Sequence, residues 1–144
     1  MTRSEFHVLI SERVLFLDGA YGTEFFKRGY IKGKEPIEIL NVKAPEKVLE
    51  LQSEYVKAGV DFLLTNTFSG NRHKLKKLGY ENYFEQINSE AVRIAKEAAK
   101  HSEKKVYILG DMSSVGEMIQ PIGDLDSKYV YNIFKEQAKV LIES

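Results

Sequence analysis

The sequence contains no cysteine among its 144 residues. Without a thiol, the chain can form no disulfide bond and has no cysteine that could act as a nucleophile. A zinc site built from thiolates of this chain is excluded for the same reason. Its three histidines, His7, His73 and His101, show no metal-ligand spacing and stand in polar or terminal stretches. The sequence therefore indicates no metal ligand and no catalytic residue.

The chain also lacks an excess of charge of either sign. Lysine plus arginine and aspartate plus glutamate both number 21, so the formal net charge is +0. This balance argues against nucleic acid or an anionic membrane surface as a partner. No apolar run approaches the roughly 18 residues of a membrane-spanning helix, and the start MTRSEFHVLI is too short and too polar for a signal peptide. We expect a cytoplasmic protein with no nucleic-acid or membrane partner.

What is present is the pattern of one α/β domain covering residues 1–144. Hydrophobic residues make up 43% and charged residues 29% of the chain, as in globular proteins. Three short apolar segments predict buried strands: Val14–Leu17, Val60–Leu64 and Val106–Leu109. None of them alternates between apolar and polar residues, which is typical of a parallel sheet covered on both faces.

Helical periodicity fills the intervals between the predicted strands. Apolar residues spaced by three and four predict helices over Thr23–Arg28, Pro45–Ala58, Arg72–Leu78, Tyr83–Lys100 and Ser127–Glu143. Asn82 and Glu85 are predicted to cap the fourth of these helices. Strands that alternate with helices form a parallel sheet with crossover connections, so we expect the three strands to be neighbours in chain order.

Each predicted strand ends in small residues that form hydrogen bonds. Asp18-Gly19-Ala20-Tyr21-Gly22-Thr23 follows the first strand, Thr65-Asn66-Thr67-Phe68-Ser69-Gly70 the second, and Gly110-Asp111-Met112-Ser113-Ser114 the third. Because the carboxyl ends of parallel strands meet at one edge, these loops would build one polar pocket. Carboxylates suit an ammonium group, and backbone N–H groups beside glycines suit a carboxylate. The pocket therefore favours an amino acid as its ligand.

The same residue types are standard in turns and helix caps, so any one of these loops is compatible with a purely structural role. Three such loops in one topological position favour the pocket. The lysine-rich stretch Lys74–Lys77 is interpreted as a solvated helix face. The Gly19-x-x-Gly22 spacing does not fit a dinucleotide-binding or phosphate-binding loop.

Several motifs of the chain resemble the homocysteine S-methyltransferase family. They are "LDGAYGTEF", "LLTNTFSGNRHKL", "INSEAVRIAKEAA" and "GDMSSVGEMIQPIG". Their greatest likeness is to the N-terminal homocysteine-binding module of cobalamin-dependent methionine synthases. The resemblance implies a (β/α)8 TIM barrel, of which this chain would be the N-terminal portion with the first three or so βα units. It also implies transfer of a methyl group to the thiol of homocysteine, which gives methionine.

The resemblance further implies which residues bind the substrate. Asp18 and Gly19 match positions that contact the amino-acid part of homocysteine, and Ala20 belongs to the same loop. Thr65 matches a second contact. The other substrate-binding candidates match the motifs at the ends of the second and third strands: Asn66, Thr67, Gly110 and Asp111.

Two departures from the family pattern bear on activity. Ser113-Ser114 stands where the family usually has Gly-Pro, so the third loop is expected to have a different shape. The family activates the thiol on zinc, and its zinc-binding cysteines lie in later strands, beyond the matching region. We expect no cofactor in this chain and no activity of the chain alone. Zinc is implied for the full-length family, with cobalamin or a folate as candidate methyl donors.

The residues leave three functions open. The chain is the substrate-recognition part of a homocysteine methyltransferase, a non-catalytic binding or structural module that pairs with a partner chain, or an unrelated α/β enzyme with similar loops. The expected partners are homocysteine and the remainder of the barrel or a second chain. Self-association is also expected, because unpaired apolar strand edges invite it.

Overall fold

A computed structural model describes residues 2–144 of the chain. Within them, helices surround a small parallel sheet, and two short 3₁₀ turns, Ile37–Ile39 and Glu81–Tyr83, precede helices. The main elements in chain order are α1 (Arg3–Glu12), α2 (Tyr21–Lys27), α3 (Leu40–Lys43), α4 (Pro45–Lys57), β1 (Phe62–Leu64), α5 (Arg72–Lys77), α6 (Phe84–Ala99), β2 (Tyr107–Leu109) and α7 (Ser127–Glu143).

The sheet is parallel, and this confirms the predicted α/β class. β1 pairs with β2 in the register Phe62 to Tyr107 and Leu64 to Leu109. On its other edge, β1 meets the first apolar segment through a single parallel bridge between Leu17 and Phe62. The three segments therefore lie side by side in chain order, as predicted, although both strands are shorter than the predicted ranges.

The prediction of a buried strand over Val14–Leu17 is wrong. The backbone of this segment is held on one side only, where the Phe16 carbonyl accepts hydrogen bonds from the N–H groups of Asp61 and Phe62. Three of its four side chains are exposed, with 75% of Val14 and 63% of Phe16 accessible to solvent, and Leu15 is half-buried. The apolar composition is that of a strand packed inside a protein. Within residues 2–144, however, no strand pairs with the outer edge of the segment, and its exposed side chains are not packed against other residues.

The helices lie close to their predicted positions. α4, α6 and α7 begin and end within one residue of the predicted ranges, and the core forms where α4 faces α6. Val48 and Leu51 of α4 and Ile87 and Ile94 of α6 are each at most 1% exposed. None of the helices in residues 2–144 has both the length and the apolar composition needed to cross a membrane.

Several helices differ from the predictions at their start. α2 begins two residues before its predicted start, and α3 lies where no helix was predicted. α1 was not predicted either, although Thr2 and Glu5 form a capping box that favours a helix there. Its Phe6 ring lies edge-on to Phe62, with the ring centroids 6.1 Å apart, so α1 covers the amino end of the sheet. The predicted cap by Asn82 and Glu85 is wrong, because the turn over Glu81–Tyr83 leads directly into α6.

Asp61 ties the amino ends of the strands together. Its buried carboxylate accepts hydrogen bonds from the Arg13 guanidinium (2.7 and 3.0 Å), the Lys104 ammonium (2.7 Å) and the Phe16 N–H (3.0 Å). The bonds from Arg13 and Lys104 hold the pKa of Asp61 well below its usual range. The carboxylate thus stabilises the fold only while it is ionised.

We predict that Asp61→Asn lowers the free energy of unfolding by about 1.5–3 kcal/mol at neutral pH, the range for hydrogen bonds to charged groups. Because the folded pKa is lowered, this stabilisation is complete above the unfolded pKa of about 3.9 and is lost as the pH falls toward the folded pKa. Urea unfolding over a pH series measures both effects. Glu97→Gln, which breaks an exposed pair with Lys100, is the matched control. An equal loss in both variants would contradict the prediction.

Candidate functional site

The loops after Leu17, β1 and β2 meet at the carboxyl edge of the sheet, around a cleft of about 320 Å³. The cleft combines polar main-chain groups with apolar walls. Six of the eight predicted substrate-binding residues line it: Gly19, Ala20, Thr65, Asn66, Thr67 and Asp111. The parallel sheet thus brings together loops that are far apart in the sequence.

Gly110 does not face this cleft. It lies beside α7, where a Cβ atom at this position would come within 3.1 Å of Leu141 Cδ1. The absence of a side chain lets α7 approach the end of β2 closely. In this structure Gly110 therefore serves packing against α7, and its contact with substrate stays a prediction.

The two threonines of the loop after β1 bond to each other and to the loop after β2. The hydroxyls of Thr65 and Thr67 are 2.6 Å apart. The Thr67 hydroxyl lies 2.7 Å from the Asp111 carbonyl, and the Asp111 N–H donates to the Thr65 hydroxyl at 3.0 Å. Both hydroxyls are buried and engaged, so their main effect is to fix Asp111 at the edge of the cleft.

A set of buried side-chain amides holds the main chain of the same loop. Asn41 of α3 donates to the Asn66 carbonyl at 2.8 Å, and its own side-chain oxygen accepts from the Asn66 amide. Asn88 of α6 donates to the Gly70 carbonyl at 2.9 Å. Gln137 of α7 donates to the Thr67 carbonyl at 3.0 Å. Side chains from three helices thereby hold the main chain of the loop after β1, which forms the bottom of the cleft.

Glu38 supports the loop from the other side. It is 1% exposed, and its carboxylate accepts a hydrogen bond from the Ser69 N–H at 2.6 Å. Burial raises the pKa of Glu38, while the bond from Ser69 and the nearby charge of Lys74 act in the opposite direction. The bond holds the main chain next to Phe68, which precedes Ser69 and lines the cleft.

Asp18 lies directly behind the wall of the cleft. Its Oδ2 accepts a hydrogen bond from the Leu64 N–H at 2.9 Å and lies 2.7 Å from the Tyr21 hydroxyl. Its Oδ1 is buried and has no hydrogen-bond partner in residues 2–144. Burial raises the pKa of Asp18, against the short contact with the Tyr21 hydroxyl and the hydrogen bond from the Leu64 N–H. A group that reached Oδ1 would find an unused acceptor.

Asp111 is the acidic side chain that lines the cleft itself. No hydrogen bond to its carboxylate is formed within the described chain, and it is half-buried. Burial raises its pKa, and Asp18 acts in the same direction whenever its carboxyl group is ionised. An ammonium group in the cleft would relieve both causes by supplying an opposite charge.

The rest of the cleft surface is apolar and includes Ile37 and Phe68. Phe68 is 54% exposed although its neighbours Asn66 and Thr67 are buried. A small molecule with a charged end and an aliphatic part fits this combination. The arrangement can bind and orient such a molecule.

The described residues do not fit a zinc ion. Residues 2–144 contain no group of three histidine, aspartate or glutamate side chains that could hold a metal, and the sequence has no cysteine. The donor set of a thiolate zinc site is therefore not present in this part of the chain. We derive no chemical step through zinc.

Sequence reasoning missed the residues that build the cleft from behind: Glu38, Asn41, Gln52, Asn88 and Gln137. A usable indication was present in two helices. Asn88 falls between Phe84 and Val92 on the buried face of α6, and Gln52 follows Leu51 in α4. A polar residue at an apolar position of a helix must find a partner. Here the partners are the Gly70 carbonyl of the loop for Asn88 and the Leu64 carbonyl of β1 for Gln52.

Comparisons with known proteins place the chain in one family. The sequence pattern of the family described as homocysteine S-methyltransferase matches residues 15–144. Betaine–homocysteine S-methyltransferase 1 of Xenopus tropicalis is 29% identical over 136 residues, which cover 90% of this chain and 32% of that protein. The chain thus spans about a third of the length of this curated relative.

Two solved structures share the fold. The oxidized form of the homocysteine methyltransferase MmuM from Escherichia coli matches with a TM-score of 0.78 at 18% identity, over 96% of this chain and 52% of that one. The metallated form of MmuM matches with the same TM-score at 17% identity, over 96% and 53% of the two chains. At such low identity the likeness shows the fold alone.

We predict that Asn88→Ala lowers the free energy of unfolding by about 1–3 kcal/mol, because the buried Gly70 carbonyl loses its donor. Thermal and urea unfolding measure the loss. Ser89→Ala is the control, since the Ser89 hydroxyl bonds only within α6 and is partly exposed. If the two variants were equally stable, the side-chain amides would not be what holds the loop.

Proposed function

We propose, since this chain belongs to the homocysteine S-methyltransferase family, that it recognises the amino-acid part of homocysteine in an enzyme that methylates the homocysteine thiol to give methionine. The observation that carries the proposal is the unpaired Asp111 carboxylate in a cleft formed by the loops after Leu17, β1 and β2. An amino acid brings the positive charge that this carboxylate lacks.

The binding mode follows from the groups at the cleft. The ammonium group of homocysteine binds Asp111, with the unused Oδ1 of Asp18 as a second acceptor behind the wall. The carboxylate of homocysteine binds the N–H groups of Gly19 and Ala20, which donate to no acceptor within residues 2–144. The methylene groups of homocysteine lie against the apolar wall that includes Phe68.

The role of the predicted residues divides accordingly. Thr65, Asn66 and Thr67 shape the bottom of the cleft with side chains that bond mainly to the protein. Binding and orientation of substrate are the contribution of this part of the chain. A free thiol with a pKa of about 8.5 is mostly protonated at neutral pH, and residues 2–144 offer no ligand set for the zinc that the family resemblance implies.

The methyl donor separates subclasses of the proposed enzyme. The name of the Xenopus tropicalis relative points to betaine, and the motif resemblance points to cobalamin or a folate. Incubation of the full-length protein with homocysteine and each donor in turn, followed by measurement of methionine, tests the proposal. No methionine with any donor, from a protein that is folded and loaded with zinc, would refute the methyltransferase function.

We predict that Asp111→Asn weakens homocysteine binding by about ten- to a hundredfold, because it removes a charge-assisted hydrogen bond worth roughly 1.5–3 kcal/mol. Isothermal titration calorimetry gives the affinity. Asp124→Asn, at an exposed position of the same loop, is the control and should leave binding unchanged. Unchanged affinity in Asp111→Asn would remove Asp111 from the site.

A second proposal concerns association of this chain with itself or with a partner chain. The exposed side chains of Val14, Phe16 and Leu17 lie beside the outer edge of the sheet, where the backbone has no partner strand in residues 2–144. Exposed apolar edges of this kind favour pairing with another chain.

We predict that the chain associates as its concentration rises and that Phe16→Lys weakens the association by at least tenfold. A lysine at this position must be desolvated when the edge is covered. Multi-angle light scattering over a concentration series measures the association. Phe26→Lys, a similarly exposed position on α2, is the control. A wild-type chain that stays monomeric at every concentration would contradict the prediction.

A further inference from the structure

Beside the cleft, the hydroxyl oxygen of Tyr21 has short contacts with two other oxygen atoms, one from Asp18 and one from Leu64. A single hydroxyl hydrogen can lie in only one of these two contacts. The Tyr21 hydroxyl oxygen is 2.7 Å from Asp18 Oδ2 and also 2.7 Å from the Leu64 carbonyl oxygen. Both distances are those of O–H···O hydrogen bonds, and two oxygens without a hydrogen between them repel each other at this separation. A tyrosine has a single hydroxyl hydrogen.

Gln52 fixes the direction of the bonds. Its Nε2 lies 3.1 Å from both the Leu64 carbonyl oxygen and the Tyr21 hydroxyl oxygen. The carbonyl can only accept, so the amino group of the Gln52 amide must face it and must donate to Tyr21 as well. The Leu64 carbonyl thus has a donor in Gln52, but its 2.7 Å contact with the Tyr21 hydroxyl oxygen still requires a hydrogen between these two atoms, and this uses the only one that Tyr21 has.

The remaining short contact, between Tyr21 and Asp18, then requires a hydrogen from Asp18. We propose that Asp18 is a neutral carboxylic acid in the free protein, that its Oδ2 donates its hydrogen to the Tyr21 hydroxyl oxygen, and that Asp18 gives up this proton when a cationic group binds at Oδ1. The Tyr21 hydroxyl then turns its own hydrogen from the Leu64 carbonyl to Oδ2 and moves away from that carbonyl, which keeps the hydrogen bond from Gln52. In both arrangements Oδ2 accepts the hydrogen bond from the Leu64 N–H.

The surroundings of Asp18 favour the neutral form. Tyr21 faces it from α2, Tyr55 lies on α4 with its hydroxyl on the Ala20 carbonyl at 2.9 Å, and Asp111 approaches from the loop after β2. No lysine, arginine or histidine of residues 2–144 forms an ion pair with Asp18. The buried Oδ1 has no donor, which costs less in a neutral acid than in a carboxylate.

Proton release on binding is the consequence of this arrangement. It depends on the proposed function only because homocysteine is taken as the ligand. A carboxylic acid and an incoming ammonium group become a carboxylate–ammonium pair, and one proton leaves to the solvent. Each homocysteine bound would therefore release up to one proton at pH values where free Asp18 is protonated. Homocysteine affinity rises with pH over that range, because the proton competes with the ammonium group.

Carboxyl ¹³C NMR titration of Asp18 in the free protein tests the proton position, with Tyr21→Phe as the variant. If Asp18 donates to Tyr21, the variant loses a bond to the neutral acid, and the pKa of Asp18 falls by roughly half to one pH unit. If Tyr21 instead donates to a carboxylate, the variant raises that pKa. The two arrangements thus predict changes of opposite sign.

Tyr55→Phe is the control, since its hydroxyl bonds to Ala20 and not to Asp18, and it should leave the titration of Asp18 nearly unchanged. The wild-type titration decides the matter even if Tyr21→Phe does not fold. An Asp18 pKa at or below the ordinary value of about 3.9 overturns the proposal, as does a rise in Tyr21→Phe.

Calorimetry of homocysteine binding in two buffers with different ionisation enthalpies counts the released protons. We expect a release on the acid side of the Asp18 titration that is absent in Asp18→Asn, and binding without release would overturn the exchange. Failure of homocysteine to bind at any pH would refute the proposed function instead, and would leave the NMR result on the free protein standing.

Discussion

The burial of the chain after β1 is the constraint on which the rest of the structure depends. Thr65, Asn66 and Thr67 are at most 2% exposed, although beyond the bond from the Thr65 N–H to the Leu109 carbonyl of β2 they lie outside the strands and helices. Buried peptide groups must find partners. The side chains of Asn41, Asn88 and Gln137 supply them, and each comes from a different helix. Fixing the loop therefore fixes α3, α6 and α7 around it.

This constraint also explains which groups at the cleft bond to the protein and which stay available to a ligand. A loop held by its carbonyls and hydroxyls is rigid, and its side chains are largely committed to the protein. The groups left over for a ligand are those at the rim: the Asp111 carboxylate, the N–H groups of Gly19 and Ala20, and the exposed ring of Phe68. A rigid support with a few unused groups is the usual basis of selective binding.

The two ends of the sheet treat aspartate in opposite ways. At the amino end, Asp61 has Arg13, Lys104 and a backbone N–H, so its pKa is lowered and its charge serves stability. At the carboxyl end, Asp18 and Asp111 have no cation within the described residues, and burial raises the pKa of both. The first carboxylate is satisfied by the fold, whereas the other two gain from a cationic ligand. The acidic groups that the fold leaves without a cation thus lie at the end where we propose that the ligand binds.

The exposed apolar side chains beside the outer edge of the sheet have another cause than the polar groups of the cleft. Val14, Phe16 and Leu17 have the composition of a covered strand, yet in residues 2–144 they pair on one side only. The apolar pattern of a short segment shows only that the segment is suited to packing in a core. Whether it is buried depends on which other residues pack against it. That difference is why the strand prediction failed here while the helix predictions, which rest on local spacing, were confirmed for α4, α6 and α7.

The sequence by itself determined the α/β class, the parallel order of the three segments and the loops that meet at the cleft. These follow from local periodicity and from the geometry that any parallel sheet imposes. Only the tertiary structure decided how those loop residues are used. Gly110 packs against α7, and the hydroxyls of Thr65 and Thr67 bond to each other. Asp18 lies behind the wall of the cleft, in contact with Tyr21 and Leu64. The reason is that a hydrogen bond depends on partners from distant parts of the chain, and residue type alone does not name them.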